Sequence, residues 1–372
     1  MSDWQSLTLG DIFEISSSKR VLQSDWQSSG VPFYRAREIV RLARDGEIDN
    51  ELFISEELFA EFQEKYGVPE AGDLMVSAVG TLGACYVVGP NDRFYYKDAS
   101  VLRFKAKREI CSRFFQHAFR TAELLDQVHA GSGSTVGTYT IERANSTRVR
   151  VPPLPEQRRI AAILDKADAL RTKRREALAQ LDRLAQSIFV EMFGDPVTNP
   201  HKLEKKSLGN LLKVKSGDFL PASEMASDGS YPVFGGNGIN GYHDEYMFDS
   251  RQIVIGRVGV YCGCVHITPA NSWVTDNALY VSEHDARVSF DFLAYSLQSA
   301  NLNQYASQSA QPLISGTRIY PVEILVPPKQ QQAEFIARLD ASKKVEQRFA
   351  ESSNELDALF ASLQHRAFRG EL

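Results

Sequence analysis

Cysteine is scarce in this chain. Four residues in 372 (Cys85, Cys111, Cys262 and Cys264) make no disulfide framework and suit a reducing, cytoplasmic setting. No run of about 18 apolar residues offers a bilayer span. The opening MSDWQSLTLGD has neither the basic nor the apolar stretch of a secretory signal. Basic residues are not in excess: the formal charge is −5, which argues against strong nucleic-acid binding by the chain unaided, though not against binding shared with basic partners. The glycine-rich GSGSTVG at 131–137 lacks the Gly-Lys-Ser/Thr ending of a phosphate loop and reads as a surface loop. Cys262-Gly263-Cys264 has no second pair or histidine cluster to complete a metal site, so it reads as alternating thiols on a strand. The seven histidines fall at no metal-ligand or catalytic spacing.

What is present is a duplication. From Val151 the chain reads VPPLPEQRRIAAILD and from Val326 VPPKQQQAEFIARLD, a shift of 175 residues (326 minus 151). The shift continues without a gap to Phe193 and Phe368, with Gln157/Gln332, Leu164/Leu339, Asp165/Asp340, Leu181/Leu356, Asp182/Asp357 and Leu184/Leu359 identical. Each copy follows a longer segment of short β-branched and aromatic runs broken by Gly, Asn and Asp, which predicts a mainly β body. Those bodies repeat more faintly. DLMVSAVGTLGACYVV (73–88) lies over QIVIGRVGVYCGCVHI (252–267), pairing Val79 with Val258, Gly80 with Gly259 and Cys85 with Cys264. Segments 112–128 and 289–299 read as helical.

The duplicated segments are long helices. Pro155 suits a helix N1 position, where its missing N–H costs nothing, and Glu156 favours the positive end of the helix. Neither Gly nor Pro follows before about Met192. About 35 residues at roughly 1.5 Å each give a rod of about 50 Å. Apolar stripes recur at 3–4 spacing: Leu178, Leu181, Ala185, Ile188 and Met192 in the first copy, and Phe349, Leu356, Leu359, Leu363 and Ala367 in the second. Two such seams predict an antiparallel coiled-coil pairing. In the first rod the polar run 171–175, between this stripe and an earlier one of Ile160, Leu164 and Ala167, reads as a solvated face or a contact for another subunit. The order is thus body, rod, body, rod.

With PPLPEQRRIAAILD at 152–165, Phe193-Gly194-Asp195-Pro196, the ending Ala367-Phe368-Arg369-Gly370-Glu371-Leu372 and YPVFGGNGINGY at 231–242, the chain resembles the specificity subunits of type I restriction–modification enzymes along nearly its whole length. The second copy departs from the pattern with Gln331-Gln332 where Glu-Gln is usual. The resemblance implies an α+β fold of two mainly-β target-recognition domains in pseudo-two-fold arrangement, joined by two long antiparallel coiled-coil helices. The expected domains are 1–153, 194–327 and the spacer helices 154–193 and 328–372. It further implies a non-catalytic reader of bipartite double-stranded DNA. Each domain reads one half-site, and the helices set the spacing and dock two methyltransferase subunits. S-adenosylmethionine, and ATP with Mg for restriction, are expected on partner subunits, among them a restriction translocase–nuclease. The residues agree with a non-enzyme: the only Pro-Pro pairs open the helices, so the Asp/Asn-Pro-Pro-aromatic grip of an adenine methyltransferase on a flipped base is absent. Two alternatives remain at this point: the specificity component of an enzyme whose cleavage and methylation activities share one partner chain, and a protein-only scaffold.

Base-reading candidates follow from side-chain chemistry, since Arg and Lys suit guanine and Asn and Gln suit adenine in the major groove. In the first half these are Arg35, Arg37 and Lys97, with Ser134 and Thr135 of the glycine loop as phosphate contacts and Tyr139 as a stacking or backbone contact. In the second half they are Asn237 in the GGNG turn, Arg257, Asn277, and Gln311 and Thr317 in the loop before the second rod.

Overall fold

In the computed structural model, which describes residues 4–130, 137–226, 228–308 and 311–372, the chain divides into two compact units. The first comprises residues 1–175 with 351–372, the second residues 176–350. Each holds a β body together with one segment from each of two long helices, Leu154–Phe193 and Lys329–Arg369.

The strands of the first unit are β1 (Gln5–Thr8), β2 (Phe13–Ser16), β3 (Val31–Tyr34), β4 (Phe53–Ile54), β5 (Leu74–Ser77), β6 (Cys85–Val87), β7 (Tyr95–Tyr96), β8 (Val101–Ala106) and β9 (Arg148–Val151). They form a two-stranded ribbon β1-β9, a four-stranded antiparallel sheet β2-β8-β5-β6, and a three-stranded sheet β4-β3-β7 in which β3 and β7 run parallel. The second unit holds β10 (Lys205–Ser207), β11 (Leu212–Ser216), β12 (Tyr231–Gly235), β13 (Gly238–His243), β14 (Ile253–Gly256), β15 (Val265–Ile267), β16 (Trp273–Val274), β17 (Ala278–His284) and β18 (Glu323–Leu325). Its sheets are ordered β10-β18, β11-β17-β14-β15 and β13-β12-β16, with β12 and β16 parallel. The two orders match strand for strand, so the faint repeat of the bodies is a duplication of topology.

Each body packs its inward-facing strand residues against a helix and the long-helix segments. In the first unit Leu74, Val76, Leu102 and Phe104 meet Phe114, Phe115 and Phe119 of the helical stretch after β8, together with Ile160, Leu164, Phe360 and Ala367. In the second, Ile253, Ile255, Leu279 and Val281 meet Phe292, Leu293 and Leu297 together with Ile188, Phe193, Phe335 and Leu339. Within the first unit the two helix segments are antiparallel, for Arg159 donates to the Leu372 carbonyl at 2.9 Å while Arg171 bonds Asp357. In the second unit Arg338 meets Glu191 at 3.2 Å.

Three details differ from the sequence expectation. The first long helix starts at Leu154, with Pro155 as its second residue, still inside the first turn, whose N–H groups have no intrahelical acceptor to lose. Leu359 is 53% exposed, and Phe360 fills the seam at 6%, its ring lying 4.3 Å beneath the Arg171 guanidinium. The polar run 171–175 therefore does more than face solvent: Arg171 and Arg175 both bond Asp357.

The paired glutamines Gln157 and Gln332 explain why the Pro-Pro motif recurs. Buried Gln157 donates to the Pro152 carbonyl at 2.9 Å and accepts from the Cys111 N–H at 3.0 Å, just where a helix begins. Gln332 repeats both bonds, to the Pro327 carbonyl and from the Ser289 N–H, and adds a third to the Arg287 carbonyl. The preceding position is freer. Among the described residues the Glu156 carboxylate pairs with Arg159 of its own helix, and the Gln331 that replaces it is exposed.

Candidate nucleic-acid interface

In each unit three chain segments converge at one end of the sheets. In the second unit these are the Gly236–Asn237 turn after β12, the turn Thr275–Asn277 after β16, and the turn that joins β14 to β15. Strand pairing brings the first two together, since Thr275 N–H donates to the Phe234 carbonyl at 2.8 Å. The third joins them through Arg257 N–H on the Asn277 carbonyl at 3.0 Å. Gly256 lies between, and a Cβ there would meet the Tyr261 carbonyl at 2.2 Å and the Gly236 carbonyl at 2.7 Å, so only glycine lets the segments approach this closely. The segment 312–314 pins the third turn from outside: Gly259 N–H donates to Pro312, and Ile314 N–H to Arg257.

Four of the five second-half candidates meet here or border it. Asn237 and Asn277 are exposed. Gln311, also exposed, precedes the pinning segment. Arg257 is half-buried and donates to Ser216 Oγ at 3.1 Å and the Asp276 carbonyl at 3.3 Å. Both acceptors are uncharged, and Arg257 makes no ion pair among the described residues, so its charge is not neutralised. Thr317 lies in the short helical turn that follows the pinning segment, its hydroxyl bonded to Ser315 at 2.8 Å.

The first unit builds the same junction with other residues. Lys97 N–H donates to the Tyr34 carbonyl at 2.8 Å, which sets Lys97 beside the Arg35 backbone, and Ala78 N–H bonds the Ser100 carbonyl at 2.9 Å. Arg35 and Arg37 are both engaged by Glu38, which is only 2% exposed and accepts Arg35 Nη2 and Arg37 Nε at 2.8 Å each. Burial opposes ionisation of Glu38, but the hydrogen bonds from Arg35 and Arg37 outweigh it and hold the carboxyl at about 2. Two arginines that the sequence offers as base readers are thus also the counter-charges of a buried carboxylate. Tyr139 departs from expectation outright. It is 1% exposed, its hydroxyl meets Thr147 Oγ1 at 2.8 Å inside the core, and it has no face left for a base. Ser134 and Thr135 lie outside the described residues.

The Glu38 cluster gives a stability prediction with a sign. Its folded pKa lies below the ordinary 4.5, so its ionised form stabilises the fold above pH 4.5, and that contribution fades as pH falls toward 2. Glu38→Gln is expected to cost about 1–2 kcal/mol at neutral pH. Urea melts should show the gap to wild type closing between pH 4.5 and 2, and a gap independent of pH would refute the assignment.

Beyond Arg257 the turn between β14 and β15 carries no candidate from the sequence, and it is one residue longer than the matched letters imply. Cys85 pairs with Val76, whereas the residue in that register on β15 is Val265, opposite Ile255. Gly83 N–H bonds the Ser77 carbonyl, and Gly263 N–H bonds the Gly256 carbonyl. Five residues lie between Ser77 and Gly83 and six between Gly256 and Gly263, so the Cys85/Cys264 identity is one residue out of structural register.

The family model for the type I restriction modification DNA specificity domain matches residues 1–181 and 200–352. The chain belongs to that family. Among curated relatives, a type I restriction enzyme specificity subunit of Escherichia coli (EcoprrI) is 34% identical over 141 residues, 37% of this chain and 35% of the relative. A putative type I restriction enzyme specificity subunit of Haemophilus influenzae is 28% identical over 174 residues, 46% of this chain and 42% of the relative. The chain thus spans less than half the length of these relatives in the matched region. The fold matches that of the type I restriction–modification S subunit from M. genitalium, with a TM-score of 0.62 at 16% identity over 99% of this chain and 96% of that one. A chain from a structure of type I system assembly and conformational transition gives 0.63 at 19% identity over 99% and 98%. Among the described residues, no group of three or more His, Cys, Asp or Glu could hold a metal ion, and no helix is long and apolar enough to cross a membrane.

Proposed function

We propose that this chain is the DNA sequence-recognition subunit of a cytoplasmic type I restriction–modification complex, and that it carries no chemistry of its own. What supports this most is the duplication within the family match: one topology, one Gln-clamped helix start and one three-segment junction, each present twice with different side chains at the junction. Two copies of a scaffold with different polar loops suit two different half-sites. The bodies 1–153 and 194–327 are then the target-recognition domains. Helices 154–193 and 328–372 set the spacing and dock two methyltransferase subunits. Those partners supply S-adenosylmethionine, and a translocase–nuclease partner supplies ATP-dependent cleavage with Mg.

Because phosphate contacts dominate DNA affinity and the chain's formal charge is −5, it should bind duplex DNA weakly alone at physiological salt. Co-expression with its methyltransferase partner, followed by sequencing of methylated adenines, is expected to show one bipartite motif with an unread gap. Gel shifts should show tight binding only with the partner present. A methylome unchanged by the pair would refute the reading, and nanomolar specific binding by the chain alone would refute the sharing of contacts.

A further inference from the structure

The tips of the two matched turns differ in the way a base contact would need. Leu82 is 4% exposed and anchors the first turn in its core, as Cys262 at 0% anchors the second. The extra residue of the second turn therefore falls at its tip. The first turn exposes Gly80 and Thr81, so Thr81 carries its one solvent-exposed side chain, whereas the second exposes two side chains, Val260 at 86% and Tyr261 at 48%. Turn tips usually carry Gly, Asn, Asp or Ser. A valine nine-tenths in water is an outlier for such a place.

Nor can this tip relax to bury itself. Gly259 (φ +74°) and Gly263 (φ +89°) hold left-handed conformations on either side of it. Cys262 N–H closes the turn on the Gly259 carbonyl, Cys262 Sγ lies 3.2 Å from the Arg257 carbonyl, and Asn303 Nδ2 donates to the Cys262 carbonyl at 2.8 Å. With its χ1 restricted by β-branching, Val260 has little entropy to lose on contact. Three residues before the tip stands Arg257 with its unneutralised charge, and Asn277 is bonded to it through the backbone.

We infer that the Gly259–Cys262 turn is a rigid apolar finger whose Val260 methyls pack on the C5-methyl of a thymine in the half-site read by the second unit. The contact rests on the DNA-reading function proposed above and adds to it a base identity at one position. In the major groove a thymine shows a methyl that no other base pair shows, and an apolar side chain is what reads it. Thr81, which also ends in a methyl, is the matching tip residue of the first unit.

The test uses the chain assembled with its methyltransferase partner and a duplex bearing the complete target. Each thymine of both half-sites is replaced in turn by deoxyuridine, which removes the methyl alone. Wild type is expected to lose about four-fold in affinity at one position of one half-site, the worth of one buried methyl group. Val260→Ala should bind the unmodified target about four-fold more weakly and show no further loss at that same position. Val260 is exposed, so the variant should melt with wild type. If no deoxyuridine in that half-site weakens wild type, or if Val260→Ala stays as sensitive as wild type, the inference falls. A complex with no bipartite preference at all would instead overturn the functional reading, and this contact with it.

Discussion

Replacing Gln332 by alanine is expected to destabilise the second unit by about 3–5 kcal/mol, more than any polar substitution at the surface. The side chain is fully buried and makes three bonds, donating to the Pro327 and Arg287 carbonyls and accepting from the Ser289 N–H. Each bond is worth about 1 kcal/mol net, but a buried partner left unmade costs about 1–3 kcal/mol, and alanine strands several at once. Gln157→Ala should cost the first unit less, about 2–3 kcal/mol, because it makes two such bonds, with Pro152 and Cys111. Hydrogen exchange is the direct readout. Peptides covering Phe290–Ser299 should lose protection in the first variant and those covering Ser112–Ala118 in the second. Gln332→Glu separates the clamp from simple packing. It keeps the volume and the acceptor for Ser289, but turns two donations into oxygen–oxygen repulsion with a buried charge, so it should be at least as damaging as alanine. A mild Gln332→Glu would show that volume, not hydrogen bonding, fixes this position.

The identity of this glutamine pair was visible in the sequence, but its task was not. Spacing marked Gln157 and Gln332 as equivalent, while their partners at Cys111 and Ser289 lie 46 and 43 residues upstream and are set only by the fold. The rods were the most legible part, because a long stretch without Gly or Pro and rich in Ala, Leu, Arg and Glu has few alternatives to a helix. Even there, Leu356 can be continued to Leu359 or to Phe360 at 3–4 spacing. Packing chose Phe360, whose larger ring reaches both Arg171 and the core. The finger was misaligned because Cys85 and Cys264 match by letter, whereas the ladder counts hydrogen bonds and finds one residue more in the second turn. At the junction, residue type alone could not separate Arg257 from Arg35. Both are arginines after a strand, but one donates to uncharged oxygens and the other answers a buried carboxylate.

That difference makes the two arginines respond in opposite ways to the same change. Substituting Arg257 by alanine should relax recognition of one half-site and leave the base preferences of the other unchanged, because its side chain bonds Ser216 and Asp276 of its own unit. A lost base contact is worth about 1–3 kcal/mol, or roughly ten- to more than a hundred-fold in discrimination at one position. Adding Asn237→Ala and Asn277→Ala should extend the loss to neighbouring positions of that same half-site. Arg257→Lys is the sharper probe. It retains the charge, so overall affinity and its salt dependence should hold, but a lysine does not reproduce the bidentate fork, so discrimination should still fall. Arg35→Ala is expected to do the reverse, lowering stability by leaving the buried Glu38 with one arginine fewer, while Lys97→Ala beside it weakens reading of the other half-site. Sequencing methylated adenines in cells carrying each variant with the partner subunit reads all of these at once. A broadened second-unit half-site with an intact first is the expected pattern for Arg257→Ala. Loss of both together would mean that Arg257 holds the fold and does not read bases.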